Sequence, residues 1–363
     1  MIKQPRQTRL KLLFTSSDKD VSKDIMPDLL SFSYSDKETN EADEISLALK
    51  DTQGKWAGSW KPDGGESVRV YIIPGSTQKK YEQLYCGRFY VDSLSAAGNP
   101  RTCELRAVSI PLNKPIRKKL KSRAWEKQTL KSIASKICNE SGISLLFDSE
   151  HNPSYDRQDQ KQESDLKFLS RLCEEEALSI KVTDNQLVIF SQESYESKPP
   201  IATLRLGKSD ILSWSFESSQ SEQYKSVTIK YRDPKKKTKG SAGGYDMDLQ
   251  KVKKDKVNDA VLTYTYTDPT VGEDGQEFAL KKRATSIADA KRLARAKLRS
   301  LNNRHIRGSM SIMGDVSMLA GCVIRCAGFG SFDGNFIIEQ ATHTVDGSGY
   351  KTDLSLRRVN NNY

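Results

Sequence analysis

Short strand-like runs broken by glycine turns fill the stretch from Arg307 to Val359, and no other feature constrains the fold as strongly. Glycine stands at Gly314, Gly321, Gly328, Gly330, Gly334, Gly347 and Gly349, with Met310–Met313, Cys322–Cys326, Phe336–Thr344 and Thr352–Leu356 between them. In Phe336–Ile338–Gln340 and Leu354–Leu356 the apolar residues tend toward alternate positions, the period of a half-buried strand. Asp333-Gly334 and Gly347-Ser348-Gly349 are hairpin-type turns, because they supply positive φ at low cost. The spacing predicts a compact antiparallel meander, part of a barrel or sandwich.

A chain of 363 residues is too long for one ordinary core, so two or three domains are expected. With 36% apolar and 29% charged residues it reads as soluble, and no window approaches the roughly 18 apolar residues of a membrane span. The N-terminus, MIKQPRQTRLKLLF, lacks an apolar signal region and a small-residue cleavage site, which predicts cytoplasmic synthesis without export. A net charge of +11 fits nucleic acid, an acidic partner or solubility alone. Of Cys86, Cys103, Cys138, Cys173, Cys322 and Cys326, only the last two are close, so buried free thiols are expected rather than a zinc site. His151, His305 and His343 show no ligand spacing.

Residues 1–111 read as nearly all β: Arg9–Phe14, Leu29–Asp36, Glu44–Lys50, Val68–Ile73, and a hairpin of Tyr85–Ser95 with Thr102–Val108 across Ala97-Gly98-Asn99-Pro100. Ile45, Leu47 and Leu49 alternate cleanly, and the acidic stretch Asp36–Glu44 is expected on the surface. Trp56 and Trp60 are either a stacking platform for bases or sugars, or a plug at one end of a barrel; we take the plug.

Residues 112–192 form a basic linker and a small α/β domain. Lys114, Arg117, Lys118, Lys119, Lys121, Arg123 and Lys127 crowd together as a phosphate grip, a solvated linker or a face for an acidic neighbour. No Phe or Tyr interleaves with them, unlike single-strand binders. Thr129 caps a helix over Leu130–Asn139 that Gly142 ends, and Ile143–Phe147 follows as a strand. A second helix spans Ser164–Glu176, and a hairpin joins Ile180–Thr183 to Gln186–Phe190. Glu174, Glu175 and Glu176 point in directions about 100° apart, so they cannot face one scissile bond and read as a solvated helix end.

Residues 193–363 return to β. SQESYESKPP at Ser191–Pro200 has linker composition, and Trp214 and Phe216 are core candidates in the strand Asp210–Ser219. Strands are also expected at Ser226–Arg232, Ala260–Tyr266 and Phe278–Arg283, with a mobile Lys/Gly-rich loop over 233–256. Ser286 opens a helix to Asn303 in capping-box style, with Asp289 for the usual Glu. Gly328-x-Gly330-x-x-x-Gly334 opens no helix, so it offers no pyrophosphate site. With no nucleophile elbow or Walker lysine either, the chain reads as a non-enzyme with no catalytic, cofactor or metal residues.

The order Gly321, Gly328-Phe329-Gly330, Asp333-Gly334, His343, then Ser348-Gly349-Tyr350 with Thr352 resembles the closing strands of the phage late control D proteins, the baseplate hubs of contractile tails. The resemblance recurs at Trp56, Trp60 and Pro62, at Ala124-Trp125-Glu126 with Thr129-Leu130, along Gln162–Leu172, and in the alanine-rich basic helix. It implies two small antiparallel β-barrels like those of tail tubes, flanking the α/β insert. It also implies a homotrimeric, pseudo-hexameric ring joining a hexameric tube to a trimeric spike, with DNA or tape-measure protein in its lumen. The setting would be the virion tail baseplate, assembled in the host bacterial cytoplasm without membrane insertion. No spike needle follows Val359, so the tip is expected on another polypeptide. The alternative is a nucleic-acid-binding module using 114–127 and 235–256. A baseplate cell-wall hydrolase would need a carboxylate pair or metal site that the sequence does not offer.

Overall fold

The computed structural model describes residues 7–14, 19–39, 42–75, 83–110, 115–183, 185–219, 223–232, 261–284, 286–303 and 305–359. The loop expected over 233–256 lies outside the described residues, as does Lys114. The chain divides into two compact units, Met1–Phe216 with Gly308–Arg357, and Glu217–Arg307 with Arg358–Tyr363.

Strands β1 (Arg9–Phe14) and β2 (Lys19–Asp20) lead through helix α1 (Ser22–Ile25) to β3 (Leu29–Lys37), β4 (Glu44–Lys50), β5 (Ser67–Ile73), β6 (Leu84–Ala97) and β7 (Thr102–Val108). Next come α2 (Pro115–Lys118), β8 (Leu120–Thr129), α3 (Leu130–Ser141), β9 (Ser144–Asp148), β10 (Ser154–Ser164), α4 (Asp165–Glu175), β11 (Ser179–Thr183), β12 (Gln186–Phe190) and α5 (Gln192–Glu196). Then follow β13 (Ala202–Arg205), β14 (Ile211–Ser218), β15 (Tyr224–Arg232), β16 (Val261–Thr267), β17 (Gln276–Ala284) and α6 (Ile287–Asn302). The last strands are β18 (Ile306–Met313), β19 (Val323–Ala327), β20 (Gly334–Asp346) and β21 (Gly349–Arg358). The protein is thus β-rich, and among the described residues no helix is long and apolar enough to cross a membrane.

One 13-stranded sheet joins the two ends of the chain, in the order β14-β18-β21-β20-β3-β4-β7-β6-β5-β1-β2, with β19 on β20 and β13 on β19. The centre is the antiparallel pairing of β3 with β20, where Tyr34 faces His343 and Phe32 faces Val345. With the two-residue β2 set aside, six strands stand on either side with the same order. Numbered along the chain within each half, the sheet order is first, fourth, fifth, sixth, third, second: β1-β5-β6-β7-β4-β3 on one side, β13-β19-β20-β21-β18-β14 on the other. The halves differ at their first strand, since β1 runs antiparallel to β5 but β13 parallel to β19.

The duplication is also written in residues. Asp28-Leu29-Leu30-Ser31-Phe32-Ser33-Tyr34 of the second strand returns as Asp210-Ile211-Leu212-Ser213-Trp214-Ser215-Phe216. Gly87-Arg88-Phe89-Tyr90-Val91-Asp92 of the fifth returns as Gly334-Asn335-Phe336-Ile337-Ile338-Glu339. Both leading glycines take positive φ, 119° and 147°, which a side chain would strain. Phe89 and Phe336 are fully buried, each a core anchor of its own half.

The α/β insert has its own core. Thr129 Oγ1 accepts from Ser132 N at the start of α3, which Gly142 ends in the left-handed conformation. Ser164 Oγ caps α4 by accepting from Lys167 N. The buried faces of both helices, with Ile133, Ile137, Phe168 and Leu172, pack with Ile180, Leu187 and Ile189 of β11 and β12. In the second unit, β15 lies between β16 and β17, and α6 packs through Ala290, Leu293, Ala294 and Leu298 on Val227 and Ile229. Ser286 Oγ accepts from Asp289 N, as the capping pattern predicts.

Candidate assembly interface

Two buried ion clusters hold the central joint. Asp36 and Asp43, expected on the surface, are instead 5% and 0% exposed. Lys181 of β11 explains it: its Nζ donates to Asp36 Oδ1 and lies 3.3 Å from Asp43 Oδ1. Asp36 Oδ2 also accepts from Ala320 N at 2.9 Å. Burial pushes the Asp43 carboxyl up, with Lys181 pulling against it. Burial alone would lower Lys181, but the two carboxylates outweigh it and hold the amine above its ordinary value.

Arg357 of β21, 3% exposed, bonds Glu196 Oε1 at 2.7 Å and Glu339 Oε1 at 2.9 Å, with Glu38 Oε2 at 3.5 Å. Arg357 thus gathers three carboxylates, and burial carries Glu38 to about 7, with Arg357 pulling against it. Glu196 lies in the stretch read as a linker, which folds as α5 and turns this side chain inward, 3% exposed. Neither cluster lines the cavity described next. Among the described residues no group of three or more His, Cys, Asp or Glu is placed to hold a metal ion.

His343, part of the closing motif, is fully buried. Its Nε2 donates to Met318 O at 3.0 Å, which leaves Nδ1 to accept from the Tyr350 hydroxyl at 2.8 Å. Burial lowers its pKa to about 4. Gly314 is required beside it, since a Cβ there would lie 2.0 Å from the Tyr350 ring.

Trp56 is 6% exposed and therefore no stacking platform. Its Nε1 donates to Asp28 Oδ2 at 2.9 Å, and Lys55 Nζ sits 4.2 and 5.0 Å from the Trp56 and Trp60 ring centroids. The pair walls a cavity of about 200 Å³, shared with Phe14, Leu49, Leu94 and Leu105.

Of the basic run, Arg117 stands on α2, and Lys121, Arg123 and Lys127 on strand β8, which pairs with β10. Asp165 is fully buried; Lys121 Nζ reaches it at 2.6 Å and Arg123 Nη2 at 2.8 Å, while both cations also bond Glu140. Arg123 further covers the Trp125 ring at 4.4 Å. Arg117, Lys119 and Lys127 remain exposed. The Glu174–Glu176 run is a helix end with one member turned in: Glu176 is 6% exposed and accepts from His151 Nε2 at 3.0 Å.

The sheet ends on β14, and here the expectation of a core strand fails. Trp214 is 44% exposed and Leu212 55%, and Phe216 is only half-buried. The cause is position: among the described residues β14 has β18 on one edge and no strand on the other. Trp214 and Phe216 still stack edge-on against Phe329, at 5.1 and 5.3 Å between centroids. An aromatic edge strand left open is a template for another chain.

The chain matches the model of the family described as phage tail baseplate hub (GPD) over residues 65–349. It is 24% identical over 365 residues to a probable baseplate hub protein of Escherichia phage 186, covering 95% of this chain and 92% of that protein. The corresponding protein of Escherichia phage P2, also named a probable baseplate hub protein, is 25% identical, with 93% and 90% covered. In three dimensions the chain is similar to a tail protein from Neisseria meningitidis MC58, with a TM-score of 0.70, 14% identity and 97% of each chain covered.

Proposed function

The chain belongs to the phage tail baseplate hub family, and on that premise we propose that three copies close into a ring that joins a hexameric tail tube to a trimeric spike. It is a structural component of the virion tail, not an enzyme. The duplicated strand order carries the ring reading. A chain with two equivalent sheet segments gives a threefold ring six such segments, so one face matches sixfold symmetry while the object stays threefold. A subunit with one segment offers no such match.

In this reading residues 1–111 and 193–363 supply the two barrels and 112–192 the insert between them. The lumen passes DNA or tape-measure protein, and the ring assembles in the host cytoplasm. The test is light scattering and negative-stain imaging of the purified chain, alone and with tube and spike proteins. A mass three times 40.8 kDa and a ring with a central hole are expected. A chain that stays monomeric at high concentration and with both partners overturns the reading.

A further inference from the structure

The internal joint between the two halves is a template for a contact between copies. That joint pairs the second strand of the first half, β3, with the latter part of the fifth strand of the second half, Gln340–Asp346 of β20. The earlier part of β20, Gly334–Ile337, pairs with β19, so β20 serves two neighbours in succession along one edge. The equivalents are β14 for β3 and β6 for β20, and both stand open where the template is filled. β5 pairs with β6 only over Leu84–Tyr90, the bonds of Val91 go to Gly65 and Glu66, and beyond it Asp92–Ala97 has β7 alone among the described residues.

Exposure follows the missing neighbour. Phe32 is 0% exposed in β3 and its equivalent Trp214 is 44% exposed in β14. Glu339–Thr344 of β20 is buried or half-buried throughout, whereas in the equivalent Asp92–Ala97 every residue but Leu94 is exposed. The alternation also agrees. In β14 Ser213 and Ser215 share one face and Trp214 and Phe216 the other, while in β6 Ser93 and Ser95 share one face and Leu94 and Ala96 the other.

We propose that the free edge of β14 in one copy pairs antiparallel with residues 92–97 of β6 in the next, repeating the β3–β20 joint between molecules. The inference rests on the ring reading above and specifies its seam. The two sequence repeats set the register. In the template Tyr34 faces His343 and Ser33 faces Thr344. Carrying each strand to its equivalent puts Phe216 opposite Ala96 and Ser215 opposite Ala97. Trp214 and Phe216 then share a face with Leu94 and Ala96 across the seam, and the main-chain groups of both edges gain partners. The contact is head to tail, so it passes from copy to copy and gives a ring where the rotation closes, rather than a two-fold dimer.

The experiment is disulfide trapping in the full chain. The double variant Ser215→Cys with Ala97→Cys is oxidised mildly and run on a non-reducing denaturing gel, with each single variant as control, because the native thiols are buried except for the half-buried Cys322. A covalent ladder ending at three chains, in the double variant only, is the expected result. Light scattering on the same samples separates the two ideas. A three-copy ring that yields no cross-link at this pair or at positions shifted by two residues overturns the seam and leaves the ring standing. No ring with tube or spike proteins present overturns both. As a second measurement, Trp214→Glu is expected to lower the thermal midpoint of the isolated chain by a few degrees, through the lost Phe329 contact, and leave it folded while abolishing the ring; a ring that survives it overturns the seam.

Discussion

Lys181 holds two buried carboxylates at once, and that sets what its loss does. Removing one partner of a buried ion cluster leaves uncompensated charge, which costs about 3–5 kcal/mol. Lys181→Met is expected to destabilise by that order in urea denaturation, and adding Asp43→Asn is expected to recover part of it. pH acts on the neighbouring groups with opposite signs. His343 has its pKa lowered from 6.5 to about 4, so the unfolded chain binds the proton first. Its contribution is complete above about pH 6.5 and is lost as pH falls through 4, at most about 3 kcal/mol. Glu38 is raised from 4.5 to about 7, so the native state holds the proton longer and stability from this group falls as pH rises between those values. Relative to the native protein, Glu38→Gln is therefore expected to gain stability from pH 4.5 to 7, and His343→Gln to flatten the acid limb. Denaturation midpoints at half-unit pH steps check both.

Elements with a private hydrophobic period were legible in the sequence. Ile45, Leu47 and Leu49 are 0%, 2% and 3% exposed, as their alternation requires, and α3 and α4 start at the caps their sequences announce. Elements stabilised from outside were not. β10, SYDRQDQKQES, has one apolar residue, Tyr155, and is a strand because β8 pairs with it and Gln160 reaches Asp165 at 2.9 Å. The buried acids hid for the same reason, since their cations sit far along the chain: Lys181 is 145 residues from Asp36, and Arg357 is 161 from Glu196. Capping separates two serines that look alike on paper. Ser164 Oγ caps α4, while Ser191 precedes α5 without a side-chain cap bond. Ser164→Ala is expected to cost about 1 kcal/mol, and Ser191→Ala less than about 0.5, by thermal denaturation.

At the scale of the molecule, the duplicated topology escaped strand-by-strand reading because residues 219–305, with a sheet and helix of their own, intervene between the second and third strands of the second half. Only the sheet order shows that LLSFSY and ILSWSF hold the same place, the second strand, in their two halves. The same scale decides what the charge of +11 means. Lys121, Arg123, Lys181 and Arg357 are all committed to buried carboxylates, so these four cations are not the ones a phosphate backbone would meet. In the ring proposed above, a channel that passes a polyanion works only if it does not grip it. Fluorescence anisotropy on duplex and single-stranded DNA is therefore expected to show weak binding, with a log–log salt slope no steeper than about −3. A slope of about −6 or steeper would mean that six or more cations engage phosphate together, and it would favour the nucleic-acid-binding alternative that uses the basic segments 114–127 and 235–256.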